Sequence, residues 1–138
     1  MTRDEVLAMK PGRELDALVI RHILNIPIVK SVDLFSQEPF PAAWWVEDEG
    51  WYVAYERDED GLIYMPFNPS EDIAAAWEVE EEINKRNLRV VYCQALKTVM
   101  HSKDEYVGMF DFVHASPADR CKAALLAVMD GEDEASEL

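Results

Sequence analysis

The chain has 138 residues, 49% hydrophobic and 30% charged, a balance that suits one soluble globular domain and excludes a disordered chain. Its net charge of −15 excludes direct binding to nucleic acid or anionic lipid over most of the surface. No apolar run approaches the roughly 20 residues of a membrane span, and the N-terminus lacks the basic-then-apolar pattern of a signal peptide. Cys93 and Cys121 are too few and too far apart for a disulfide scaffold or a metal knuckle. The expected setting is therefore the cytoplasm, with both thiols reduced and buried.

Thr2 followed by Glu5 is a capping-box pattern that opens a short first turn, interrupted at Pro11-Gly12. Leu15, Leu18, Val19, His22 and Ile23 then make one apolar stripe at helical spacing, which predicts a helix over 12–25. Residues 26–45 lose the period and contain Pro27, Pro39 and Pro41, so an irregular segment with at most a short strand is expected. Trp51 to Tyr55 and Leu62 to Met65, joined by the acidic turn Asp58-Glu59-Asp60-Gly61, predict a hairpin. Ser70 reads as the N-cap of a helix over 70–86 whose apolar face holds Ile73, Ala76, Trp77 and Ile83, with Glu81–Lys85 and Glu82–Arg86 pairs opposite. Leu88 to Met100 and Tyr106 to His114, around the turn His101 to Asp104, read as a second hairpin. Ser116, Pro117 and Asp119 open a last helix over 116–130 that carries Cys121, Ala124, Leu125, Val128 and Met129 and that Gly131 can end. The order α-β-β-α-β-β-α predicts an α+β domain over 1–130, with a mainly antiparallel sheet of about four strands and three main helices. The acidic tail 131–138 is expected to be mobile.

Gly12-Arg13-Glu14-Leu15-Asp16-Ala17-Leu18-Val19, the Ser70 to Val79 helix and the Ala118 to Met129 helix resemble, in that order, blocks of the phage ABA sandwich domain family. The resemblance implies a three-layer α/β/α sandwich in a small phage- or prophage-encoded protein. It implies no activity, cofactor or catalytic residue. Residues 26–69 match no block of that pattern and are where function is expected to vary, as loops on a fixed scaffold commonly carry it.

No catalytic constellation stands out. His22, His101 and His114 include no pair at metal-ligand spacing, with His22 fitting a partly buried core residue and His101 an exposed turn. Asp111 and His114 would fall on opposite faces of a strand, which leaves Asp111 as a buried carboxylate in need of a partner. Ser36, Ser70, Ser102 and Ser116 lack a nucleophile-elbow pattern, and the five glycines form no phosphate-cradling loop, so no metal site, catalytic residue or cofactor is assigned. Trp44, Trp45, Trp51 and Tyr52, beside Pro39 and Pro41, form the candidate binding surface, whose rings can stack on a planar ligand or a partner side chain; core packing is the competing account.

Three functions compete. The expected one is a non-enzymatic accessory protein that binds a host protein or small ligand through residues 39–67. A DNA mimic that blocks a host nucleic-acid-binding protein is the alternative, and it needs one continuous acidic face. An enzyme with an unrecognised site is the third, resting on Asp111. The aromatic middle segment could also pair two copies as a homodimer.

Overall fold

The computed structural model describes residues 1–33, 38–103 and 106–137, with the side chains of 132–137 outside the description. Ser36 and Asp104 therefore lie outside the described residues. The elements in chain order are α1 (Arg3–Ala8), α2 (Arg13–His22), β1 (Ala42–Val46), β2 (Gly50–Asp58), β3 (Gly61–Pro66), α3 (Ile73–Lys85), α4 (Arg89–His101), α5 (Met109–Val113) and α6 (Pro117–Glu137). The α+β class stands. Among the described residues the expected four strands are three, in one antiparallel sheet of order β1-β2-β3, and the expected three main helices are six.

The difference lies in the second predicted hairpin, which is helical. Leu88 to Met100 reads as a strand because Val90, Val91, Tyr92 and Val99 are β-favouring, yet Tyr92, Ala95, Leu96 and Val99 are buried at i, i+3, i+4 and i+7. That spacing is one helical stripe, and burial of the stripe outweighs the β propensity of single residues. Tyr106 to His114 likewise holds the short helix α5, which has no buried residue and whose Gly108 backbone N–H donates to Asp111 Oδ2 at 2.9 Å.

Helix starts follow their caps. Thr2 accepts from the Glu5 N–H at 3.2 Å, and Ser116 Oγ from the Asp119 N–H at 3.1 Å. Ser70 is not the N-cap of α3; Asp72 takes that role, accepting from the Ala74 N–H at 3.1 Å. On α3 the buried side chains are Ala75, Ala76, Val79 and Ile83, while Ile73 and Trp77, expected on the apolar face, are exposed. Of the two expected ion pairs, Glu82–Arg86 forms at 3.5 Å, and Glu81–Lys85 does not among the described residues.

The core centres on α6. Cys121 and Ala123 to Val128 are buried, together with Lys122, so this stretch of α6 is enclosed on all sides and α1, α2, α3 and α4 pack on the helix. It does not end at Gly131 but runs to Glu137, through the predicted tail. A Cβ on Gly131 would collide with the end of the Leu88 side chain, so glycine here serves a close approach and not a C-cap. Cys93, expected to be buried, is exposed, and Cys121 is buried; both are free thiols.

Enclosure obliges the cations of α6 to find partners. Arg120 donates from Nη1 to both carboxylate oxygens of Glu80, at 3.0 and 3.1 Å, from Nε to the Ala115 carbonyl at 3.0 Å and from Nη2 to the Val113 carbonyl at 2.9 Å. Tyr92 donates its hydroxyl to Glu80 Oε2, so one carboxylate joins α3, α4 and α6. Burial first, and then this hydrogen bond, push the Tyr92 hydroxyl pKa well up, which keeps it a donor. Lys122 reaches back from Nζ to the Leu7 carbonyl at 3.0 Å, at the end of α1. Arg120→Ala is expected to cost about 3 kcal/mol, since it leaves Glu80 with the Tyr92 hydroxyl but no counter-charge and strands two carbonyls. In urea unfolding, a double-mutant cycle with Glu80→Gln should return a coupling above 1 kcal/mol.

Candidate functional site

The sheet positions the aromatic residues. Residues paired across antiparallel strands share a face, and successive residues alternate faces. Ala43 pairs with Val53 and Trp45 with Trp51, on the face turned to the core; Ala42 pairs with Ala54 and Trp44 with Tyr52, on the opposite face. The segment 27–29 borders β1, the Ala43 N–H donating to the Pro27 carbonyl and the Val29 N–H to the Ala43 carbonyl, each at 2.9 Å. The Glu38-Pro39 and Phe40-Pro41 peptide bonds just before β1 are both cis.

The four sequence-selected residues therefore do not form one surface. On the inner face Trp51 is buried, its Nε1 donating to the Arg13 carbonyl at 3.0 Å, and Trp45 meets it edge-on at 5.5 Å between ring centroids. The Arg13 guanidinium lies 4.8 Å from the Trp45 ring centroid. These two tryptophans are packing groups that join the sheet to α2.

On the outer face Trp44 and Tyr52 are joined by Tyr64 of β3. Trp44 stacks on Tyr52 at 6.1 Å, Tyr64 is tilted against Trp44 at 5.7 Å, and Tyr64 meets Tyr52 edge-on at 6.0 Å. The three rings, with Val32, Val46 and Glu49, line an open cleft of about 280 Å³ that has no helical residue in its wall among the described residues. Sequence reasoning missed Tyr64 because regular pairing outward from the turn would set it opposite Tyr55. A bulge between Ala54 and Glu56 sets it opposite Ala54 instead, and a one-residue shift moves a side chain to the other face. The signal available was the Tyr64 residue type alone.

The turn that carries Glu49 is tied to the core. Gly50 has φ of +103°, and a Cβ there would lie 2.6 Å from Asn68 Oδ1, which itself accepts the Trp51 N–H at 2.9 Å. From Asn68 the chain leads to a buried polar knot in which Ser70 N–H donates to Asp16 Oδ1 at 2.7 Å and Gly12 N–H donates to Ser70 Oγ at 2.8 Å. Ser70, predicted as a cap, thus fastens the start of α2 to the lead-in of α3. Burial pushes the Asp16 carboxyl up to about 6, its hydrogen bonds from Ser70 partly offsetting this and Glu71 adding repulsion.

The remaining candidates separate. Asp111 is exposed, not buried, and its carboxylate accepts the Gly108 N–H while edging a shallow cleft of about 190 Å³. His114 is exposed and its Nδ1 lies 2.9 Å from the Phe110 carbonyl. His22 is partly buried at the end of α2, and His101 is exposed as the last residue of α4. Among the described residues no group of three or more His, Cys, Asp or Glu is arranged to hold a metal ion, and no helix is long and apolar enough to cross a membrane.

Two predictions separate these roles. Trp51→Ala should cost about 3–5 kcal/mol in urea unfolding, whereas Trp44→Ala, losing two ring contacts on a partly exposed face, should cost about 1–2 kcal/mol and leave the fold intact. For Asp16, the folded carboxyl binds its proton more tightly than the unfolded one, whose reference value is 3.8. Folding takes up a proton between pH 4 and pH 6, so the contribution of Asp16 to stability falls as pH rises through that window and is level above it. Asp16→Asn, which keeps the acceptor for Ser70, should gain stability relative to the wild type as pH rises through the same window, and Asp16→Ala should lose most below about pH 4, with a deficit that shrinks as pH rises through the window.

The family pattern of the phage ABA sandwich domain matches residues 37–125, well over half of the chain. The match takes in the whole sheet, α3, α4, α5 and the first part of α6. It includes residues 37–69, part of the stretch expected to lie outside the family pattern, and leaves out the Gly12 to Val19 block. No curated protein and no solved structure matches the chain. With its sheet and three of its helices inside the matched region, the chain belongs to the phage ABA sandwich domain family.

Proposed function

We propose that this chain is a phage or prophage accessory protein of the host cytoplasm that acts by binding a host protein, not by catalysis, through the outer face of its sheet. The observation that carries the reading is the cleft of Trp44, Tyr52 and Tyr64. Three large rings stand together on a sheet face where the alternation of strand residues would ordinarily place polar groups. Clustered aromatic residues of this kind dominate binding energy at protein interfaces, because each offers a large rigid area at small entropic cost. The site is narrower than the sequence suggested: it keeps Trp44 and Tyr52, gains Tyr64, and gives up Trp45 and Trp51 to packing.

Catalysis has less support. Asp111 is held by a backbone N–H, and Asp16 is held in the knot that joins α2 to α3. DNA mimicry calls for one continuous acidic face, but Glu47-Asp48-Glu49 and Asp58-Glu59-Asp60 sit in successive turns of an antiparallel sheet, at its opposite ends. A small ligand or a second copy of the chain would meet the same rings.

The test is affinity capture from bacterial host lysate with the wild type and a Trp44→Ala, Tyr64→Ala double variant, after circular dichroism has matched their folds. The expected outcome is a host protein retained by the wild type and lost at least tenfold by the double variant. Equal retention by both would remove the outer sheet face as the binding surface.

A further inference from the structure

Two rings in or beside this sheet carry a guanidinium on their faces. The Arg13 guanidinium lies over Trp45 at 4.8 Å, and the Arg57 guanidinium lies over Phe40 at 4.7 Å, close to the sheet's other end. Among the described residues no such cation covers Trp44, Tyr52 or Tyr64. Glu49, which also lines the cleft, has no ion pair and no side-chain hydrogen bond among the described residues.

We propose that the cleft of Trp44, Tyr52, Tyr64 and Glu49 receives the guanidinium group of an arginine side chain on a basic segment of a partner protein. This rests on the reading of the outer sheet face as a binding surface and names its occupant. A guanidinium is planar, is weakly hydrated for a cation and stacks on aromatic faces, and its fork matches a carboxylate. The cleft offers both halves of that recognition, with ring faces as the platform and Glu49 as the carboxylate at its rim. The net charge of −15 adds long-range attraction for a basic segment and opposes pairing with a second copy of this chain.

The four tryptophans supply the reporters, because each indole N–H gives its own resonance and they lie in separate places: Trp44 on the outer face, Trp45 and Trp51 on the inner face, Trp77 on α3. The ¹⁵N-labelled full chain is titrated with an acetylated Gly-Arg-Gly-Arg-Gly peptide and with its lysine counterpart of equal charge. The expected result is a saturable shift of the Trp44 indole resonance with Trp51 unmoved, an affinity for the arginine peptide about tenfold above the lysine peptide, and a loss of about tenfold in Trp44→Leu and severalfold in Glu49→Gln. Equal affinity for the two peptides, an unmoved Trp44 resonance, or unchanged binding by Glu49→Gln would overturn the proposal. Glu49→Gln leaves the core untouched, so the outcome stands even where Trp44→Leu fails to fold. If these peptides fail while capture of a host protein still depends on Trp44 and Tyr64, the occupant is wrong and the surface is right; if both fail, the surface is wrong.

Discussion

A helical stretch buried on every side, residues 121–128 of α6, fixes the rest of this fold. Because α6 presents Ala, Leu, Val and Cys all round, four helices must pack on it to cover it, and its polar residues must be answered inside that packing. Arg120 and Lys122 meet the demand by reaching carbonyl groups that other helices leave unpaired: those of Val113 and Ala115 around the end of α5, and that of Leu7 near the end of α1. Arg86 does the same at the end of α2, donating to the His22 and Ile23 carbonyls. Three cationic side chains thus close three helix C-termini, where the helix dipole also favours positive charge. The same groups that satisfy the core hold its helices in register.

The sheet meets this core through its inner face. Trp51 and Val53 are buried against it, and the Nε1 bond from Trp51 to the Arg13 carbonyl is a direct polar link between sheet and α2. Asn68, Ser70 and Asp16 extend the link, so the turn at Gly50 is attached to the start of α2 and the lead-in to α3 by hydrogen bonds of 2.7 to 2.9 Å. The outer rings therefore ride on a rigid support, which a binding surface needs if little affinity is to be lost to ordering. The bulge at Tyr55 is the second requirement, because it alone brings Tyr64 to the face of Trp44 and Tyr52.

What could be read from the sequence follows from how local each signal is. The caps at Thr2 and Ser116 and the hairpin over 51–65 were legible because their signals lie within a few residues. So was the apolar stripe of α2, whose Leu15, Val19 and Ile23 are buried. The helix α4 was not, since Val90, Val91 and Tyr92 favour strands one by one and only the spacing of Tyr92, Ala95, Leu96 and Val99 reveals the helix. Gly131 and Ser70 misled for a related reason: each has a residue type that suits a helix end, but each answers a distant neighbour, Leu88 in one case and Asp16 in the other. The site was half legible. Counting along a strand separates Trp44 from Trp45 and Trp51 from Tyr52, but no count foresees a bulge.

Charge then connects core and surface. The chain carries 13 basic residues against 28 acidic ones, and several of the basic ones are committed internally: Arg86, Arg120 and Lys122 to carbonyls, Arg13 and Arg57 to rings. Two more pair with carboxylates, Arg3 with Asp130 and Lys103 with Asp119, each at 2.6 Å. Positive charge is thereby drawn toward helix ends and ring faces, and the acidic turns at 47–49 and 58–60 are left without an equal cationic surround. A surface of that sign disfavours phosphate backbones and favours cationic partners. The outer rings, set beside Glu49 in one of those turns, are where that electrostatic bias meets a shape able to hold a side chain.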